Sequence, residues 1–414
     1  MRVLNMKRIA VVVAALAIPA LASCGTSAES SAPSASSKAP VEESSKTPRL
    51  AVSYDGGIVV LDADDLGQVA DIPLDGFLRL NSAANGRNVF VSVSDGFRVL
   101  DMGTWTRQHG DHGHYYTSTP NMTDLKFGGA EPGHVVPHDS RITLFSDGTG
   151  EVTVVEPVDL ARGTASATSF TVPQPHHGVA VARGDGAVVV TVGNEDKRTG
   201  LAVLDKNRNE IARTDECPGV HGEAAAAGGV LTFGCENGIV VLRGNTFTKI
   251  ASADSYGRIG NQAGAPDSPV VLGDYKTQRP SKDENDTSIE RPRRFTLTDT
   301  AANAIRVVDL PTSYSFRSLE RGPNGTAVIL GTDGALYRFD AATGRQLSRV
   351  DVIAPWTEPE EWQSAMPNLF VQGSTAYVSD PNTRTLIAVD LSSGKKIAET
   401  TLPQRAIELT GVTG

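Results

Sequence analysis

Only three cysteines occur in 414 residues, so no dense disulfide scaffold holds this chain. Aromatics make up 6% and the apolar set 39%, enough for a large folded body but too little for a protein of many membrane spans. Lys and Arg number 38 against 48 Asp and Glu, a formal net charge of −10. That balance argues against nucleic-acid binding, which needs clustered cations to neutralise phosphates. There is no Gly-x-Ser-x-Gly elbow, no phosphate-binding P-loop and no His-Glu-x-x-His helix. Long amphipathic helical periodicity is missing too. Three tryptophans, Trp105, Trp356 and Trp362, are too few to stack a quinone cofactor in every repeat of a repeated fold. What the chain has in excess is glycine, 41 residues, against an average usage of about 7%.

Ile9 to Leu21 is a 13-residue apolar run behind Arg2, Lys7 and Arg8. It is too short to span a bilayer and reads as the core of an export signal. The run ends Leu21-Ala22-Ser23-Cys24-Gly25, which resembles a bacterial lipobox, with Cys24 as the lipidated residue. Residues 1–23 are therefore expected to be a lipoprotein signal peptide. Residues 24–48 are rich in Ser, Ala and Pro and read as a flexible tether. The expected product is an exported protein, anchored by lipid alone to the outer face of the cytoplasmic membrane. Its body, 49–414, reads as one domain. Thiols outside the cytoplasm tend to pair. Cys217 and Cys235, which flank His221, are expected to form a disulfide.

From Leu50 onward the chain repeats one phrase: an apolar run, a tight turn that usually carries glycine, and a second apolar run that mostly ends on Asp. Examples are Leu50 to Asp62, Asn88 to Asp101, Thr326 to Asp340 and Thr375 to Asp390. Asp-Gly and Asn-Gly turns suit hairpins whose central residues need positive φ. Eight such units can be counted, with middle strands starting near residues 50, 88, 141, 187, 229, 269, 326 and 375. An all-β propeller of eight four-stranded blades accounts for them, with seven blades as the alternative if one unit is irregular. The first unit lacks a leading strand. The last residues, Ala406 to Thr413, are an orphan strand that would supply it and close the ring. Lys276 to Arg294 is a charged insertion, read as a surface loop.

All eight histidines fall between residues 109 and 221. His134, His177 and His221 recur at separations of 43 and 44 residues, about one blade, so they share a register. The leading strand of each blade lines the channel of a propeller. These three rings are thus expected to converge at one channel mouth, where neutral imidazoles make a zinc site. Upstream lies Gln108-His109-Gly110-Asp111-His112-Gly113-His114, an H-x-D-H-x-H segment read as a loop. It is expected to donate the fourth ligand, with Asp111 as ligand or as the group that orients a histidine. His138 and His176 complete the candidate set. Since imidazole must be neutral to bind, affinity is expected to fall as pH drops through the ordinary histidine value of about 6.5.

The His-rich segment, the Pro-His-His-Gly and Val-His-Gly strand starts and the paired cysteines together resemble the AztD zinc metallochaperone family. The resemblance spans roughly Leu50 to Gly414. It implies an exported β-propeller that binds Zn2+ and delivers it to the solute-binding protein of an ABC zinc importer. Carried over, His109, Asp111, His112 and His114 match the family's His/Asp-rich loop, and His134, His177 and His221 its inner-strand histidines. The implied protein is a monomer, not an enzyme. Two other readings stand beside it. One is a metal-free lipoprotein propeller that scaffolds an envelope complex. The other is a metal-dependent hydrolase, for which Glu223 is the obvious base.

Overall fold

A computed structural model describes residues 39–281 and 286–414. The signal peptide, Cys24 and most of the tether lie outside the described residues, as does the middle of the charged insertion. No helix among the described residues is long and apolar enough to cross a membrane.

Among the described residues eight blades follow one another, each built on four antiparallel strands, and the fifth adds the two-residue strand Gly257–Arg258, parallel to its third strand. Their second strands start at Arg49, Asn88, Arg141, Val188, Val230, Val270, Ala327 and Thr375, each within one residue of the sequence expectation. The ring closes as expected. Glu408–Val412 takes the innermost position of the first blade and pairs with Arg49–Tyr54, in register from Arg49↔Val412 to Ser53↔Glu408. The leading strands of neighbouring blades touch, as Glu408–Val412 does Arg79–Ser82 on one side and Asn368–Gln372 on the other.

The burial pattern follows from this architecture. Second and third strands are covered on both faces by adjacent blades, so they read as unbroken apolar runs such as Val89-Phe90-Val91, all fully buried. Fourth strands face solvent on one side and alternate, as in Gln68–Pro73. The recurrent Asp has a local cause. Its carboxylate accepts backbone N–H groups of the turn that follows: Asp62 from Asp64 at 2.8 Å, Asp340 from Thr343 at 2.8 Å and Asp390 from Ser393 at 2.7 Å.

Two features depart from the sequence reading. The H-x-D-H-x-H segment is not a loop but the tip of a β-hairpin. Its arms, Thr104–His109 and His112–Thr117, are inserted between the third and fourth strands of the second blade. Arms separated by two residues, Gly110-Asp111, are a hairpin signature that the histidine spacing masked. Gly110 has a φ of +62°, as the first central residue of such a tight turn requires. The tether also ends sooner than expected. Val41–Glu43 is a strand that pairs antiparallel with the second arm, Val41↔Thr117 to Glu43↔Tyr115, giving a three-stranded sheet outside the blades.

Candidate metal centre

Blades three, four and five place His134, His177 and His221 at one channel mouth. His134 lies in the leading strand Pro132–His138, and His221 begins the leading strand His221–Ala226. His177 stands three residues ahead of its leading strand, Ala180–Ala182, and not on it. The ring centroids are 5.0 to 5.5 Å apart, and one ring nitrogen from each falls within 4.8 Å of the others. Behind them the three blades share one apolar cluster that includes Val136, Val181, Val189 and Phe233. His134 and His221 therefore stand on close-packed strands, with His177 just ahead of a third.

Backbone irregularities aim two of these rings. A bulge follows His221: Gly222, with a φ of +70°, is an extra residue between the pairs His221↔Gly234 and Glu223↔Phe233. The register also slips around His134, between Pro132↔Ser146 and Val135↔Leu144.

Hydrogen bonds fix the tautomers. His177 Nδ1 lies 2.6 Å from Asp147 Oδ2, and His221 Nδ1 lies 2.9 Å from the Gly260 carbonyl oxygen. Both partners can only accept, so each Nδ1 carries the proton and each Nε2 keeps its lone pair for a metal. Asp147 was not singled out from the sequence. It sits in the Asp147-Gly148 turn of the third blade, and a side chain at Gly133 would meet its Oδ1 at 2.3 Å. The Nδ1 of His134 is buried without a hydrogen-bond partner among the described residues. A trio of imidazoles with one unsatisfied nitrogen fits a cation better than it fits a set of hydrogen bonds.

Burial pushes His134 well below the ordinary histidine range, reinforced by the neighbouring His221 and His177. Burial, then the Arg258 charge, pushes His221 down to about 3. Both rings are therefore neutral at physiological pH, the form in which an imidazole can offer a lone pair to a cation. Burial also raises Glu223, on the same strand, to about 7. Beside the trio is a cleft lined by Arg79, Phe77, Asp147, His177 and Trp362. Trp362 is 47% exposed and meets Phe77 edge-on at 5.2 Å.

The hairpin carries a second, separate trio. His109 and His112 are directly opposed across its arms, and His114 is two residues on, so all three share one face. Their centroids are 5.1 to 5.8 Å apart, and they too bring ligand atoms within 4.8 Å of one another. His112 Nδ1 is 3.1 Å from Asp111 Oδ1, and His114 Nδ1 is 2.6 Å from Glu42 Oε1. Tyr116 stacks on Trp105 at the base of the same face.

This hairpin does not supply the fourth donor to the channel trio. Strand direction alternates within a blade, so leading strands start at one end of the propeller and third strands finish at the other. The hairpin leaves from a third strand, and His134, His177 and His221 stand where leading strands start. Hydrogen bonds at the hairpin base agree. Thr106 donates to the carbonyl of Gly414, beyond the closing strand, and Thr104 to that of Thr47. His138 and His176 stand outside both trios. His138 is at the far end of its strand, 3.4 Å from Asp139. His176 spends both ring nitrogens on the Gln174 carbonyl and the Thr191 hydroxyl, each at 2.8 Å. The Cys217–Cys235 disulfide is present and fully buried, four residues from His221.

No protein-family model matches the chain. It is 25% identical over 368 residues to the zinc chaperone AztD of Citrobacter koseri, covering 86% of this chain and 83% of that protein. Among solved structures it superposes on C. koseri AztD with a TM-score of 0.78 at 24% identity, covering 89% of this chain and 99% of the other. The apo form of that protein gives 0.76 at 23% identity, again over 89% and 99%. The dihydro-heme d1 dehydrogenase NirN, at 12% identity and a TM-score of 0.56, shares fold alone. In sequence across most of both chains, and in fold across nearly all of the described body, this protein is similar to the AztD zinc chaperones.

Proposed function

We propose that this chain is an extracytoplasmic zinc carrier with two zinc-binding centres at opposite ends of an eight-bladed propeller, and that it passes zinc to the solute-binding protein of an ABC zinc importer. The carrying observation is the paired histidine trios, each with ring nitrogens within 4.8 Å. Zinc takes neutral imidazole readily and prefers four ligands in a tetrahedron. Three imidazoles leave one position for water or for a ligand of the receiving protein, which suits hand-over better than permanent storage. His134 and His221 stand on rigid strands, with His177 just ahead of a third, and the three form the tighter site. His109, His112 and His114 stand on a protruding hairpin and form the accessible one. Similarity to a zinc chaperone supports the cargo, and the buried disulfide and the lipobox-like Cys24 support export with a lipid anchor. Nothing in this reading needs a catalytic step.

Competitive chelator titration tests it. The wild type should bind two zinc ions per chain. His134→Ala or His177→Ala should abolish the tighter event, and the double variant His112→Ala/His114→Ala the weaker one. Stopped-flow mixing of loaded protein with a zinc-binding acceptor then measures transfer. If neither class of variant changes the stoichiometry, the proposal is wrong.

A further inference from the structure

The hairpin trio has a neighbour that lies far away in sequence. Glu42 belongs to the strand Val41–Glu43, at the end of the Ser/Pro-rich segment, and its carboxylate is 2.6 Å from His114 Nδ1. The register explains the contact. Glu42 pairs with Tyr116, so it shares the face of Tyr116, His114 and His112 and lies diagonal to His114. The neighbouring Glu43 points to the other face and accepts a hydrogen bond from the Thr117 hydroxyl at 2.7 Å.

We propose that Glu42 is a positioning residue of the outer zinc site, and that docking of the strand Val41–Glu43 and zinc binding at His109, His112 and His114 are one coupled equilibrium. The inference rests on reading that trio as a zinc site. The chemistry is the carboxylate–histidine–metal arrangement. An acceptor on Nδ1 keeps the proton there, turns the ring so that Nε2 faces the metal, and makes Nε2 more basic. Without metal the contact does little, because both side chains are substantially exposed, 56% for Glu42 and 38% for His114. With metal bound, the His114 N–H is more strongly polarised and its bond to the carboxylate strengthens. The pairing here is only three residues long, on the edge of a small sheet. Metal binding at the histidines is therefore expected to hold the strand in place, and loss of the strand to loosen the metal by the same factor. His112 has its own acceptor in Asp111, two residues from His109 in the turn, so His114 is the ligand that depends on a remote part of the chain.

The test uses the full chain in a His134→Ala/His177→Ala background, so that only the outer site binds zinc. Glu42→Ala should weaken zinc binding about ten- to a hundred-fold, the range for removing such an orienting carboxylate. Glu43→Ala, on the same strand but facing away from the trio, should cost no more than about threefold. Hydrogen exchange at residues 41–43 should slow when zinc is added to the Glu42 protein, by a factor comparable to that affinity loss. It should not change with zinc in Glu42→Ala. If Glu42→Ala binds zinc as the parent does while His114→Ala does not, the positioning role is refuted and the outer zinc site stands. If Glu43→Ala costs as much as Glu42→Ala, strand docking alone is responsible and the role of the carboxylate is refuted. If His114→Ala leaves zinc binding unchanged, the outer site itself falls.

Discussion

Removing the disulfide separates the stability of the body from the geometry of the channel site. Cys217 and Cys235 close a loop of 18 residues, and both are fully buried beside Val220, Leu231 and Phe233. Opening such a loop returns conformational entropy to the unfolded chain, about 3 kcal/mol by loop-closure arithmetic. In Cys217→Ala/Cys235→Ala the two missing sulfurs also leave small voids, which move the loss toward 5 kcal/mol. The effect on zinc should be much smaller. His221 pairs with Gly234, next to Cys235, but its ring is held by the Gly260 carbonyl, which lies outside the disulfide loop. While the variant stays folded, the trio keeps its shape, and affinity should change by no more than about threefold, or ~0.7 kcal/mol. Urea unfolding in the presence of a chelator, followed by tryptophan fluorescence, measures the first quantity. Competitive titration at 25 °C measures the second. A stability loss below about 1 kcal/mol would refute the loop-closure argument. Affinity that falls in step with stability would show that the disulfide itself positions His221.

Three further outcomes follow from named contacts. Arg317, buried, donates to Glu408 of the closing strand at 2.8 Å, while Arg79 reaches the same carboxylate only at 3.6 Å; Arg317→Met strands that buried charge and should cost about 3 kcal/mol in chemical denaturation, an unchanged midpoint contradicting this. Ending the chain at Gln404 removes Glu408–Val412 and opens the first blade; its protection from limited proteolysis should vanish first, and a truncated protein that melts with the wild type would end the closure argument. In the metal-free protein, His221 is held down at about 3 against an ordinary value of about 6.5, so it stays neutral in the fold while the unfolded chain takes up a proton as pH falls below 6.5. Between pH 6.5 and 5 this costs about 2 kcal/mol. Glu223, raised to about 7, acts in the opposite direction over the same range and masks the loss in the wild type. His221→Asn should therefore gain about 2 kcal/mol on the wild type between pH 7 and pH 5, and parallel stability curves would refute the assignment.

The blade architecture was legible because it is local. Most hairpins announce themselves by an apolar run, a tight turn usually carrying glycine, and an Asp that caps the turn that follows, and these depend on neighbours within a few residues. The second strands from Arg49 to Thr375 were accordingly located to within one residue. The register of His134, His177 and His221 was legible for a related reason: a repeat converts spacing along the chain into position around a ring. The spacing could not show that His177 stands ahead of its strand, or that Gly222 makes a bulge. Those depend on how two strands pair. The H-x-D-H-x-H segment was misread as a loop because histidine and glycine obscured an ordinary two-residue hairpin.

The sequence alone pointed to the all-β class, to eight repeats with seven as the alternative, to the closing strand and to the shared register of His134, His177 and His221. Only the tertiary structure decided that the histidines gather in two separate trios, His134, His177 and His221 in one and His109, His112 and His114 in the other. The reason is directional: strands alternate within a blade, so a segment after a third strand and residues at the start of leading strands emerge at opposite ends, however close they are in number. The acceptors behind these histidines came from the same source. Asp147 lies 30 residues before His177, and Glu42 lies 72 before His114, so no spacing rule could have joined them. The depressed proton affinity of His134 and His221 is likewise a property of burial among folded blades and of nothing in their sequence neighbours.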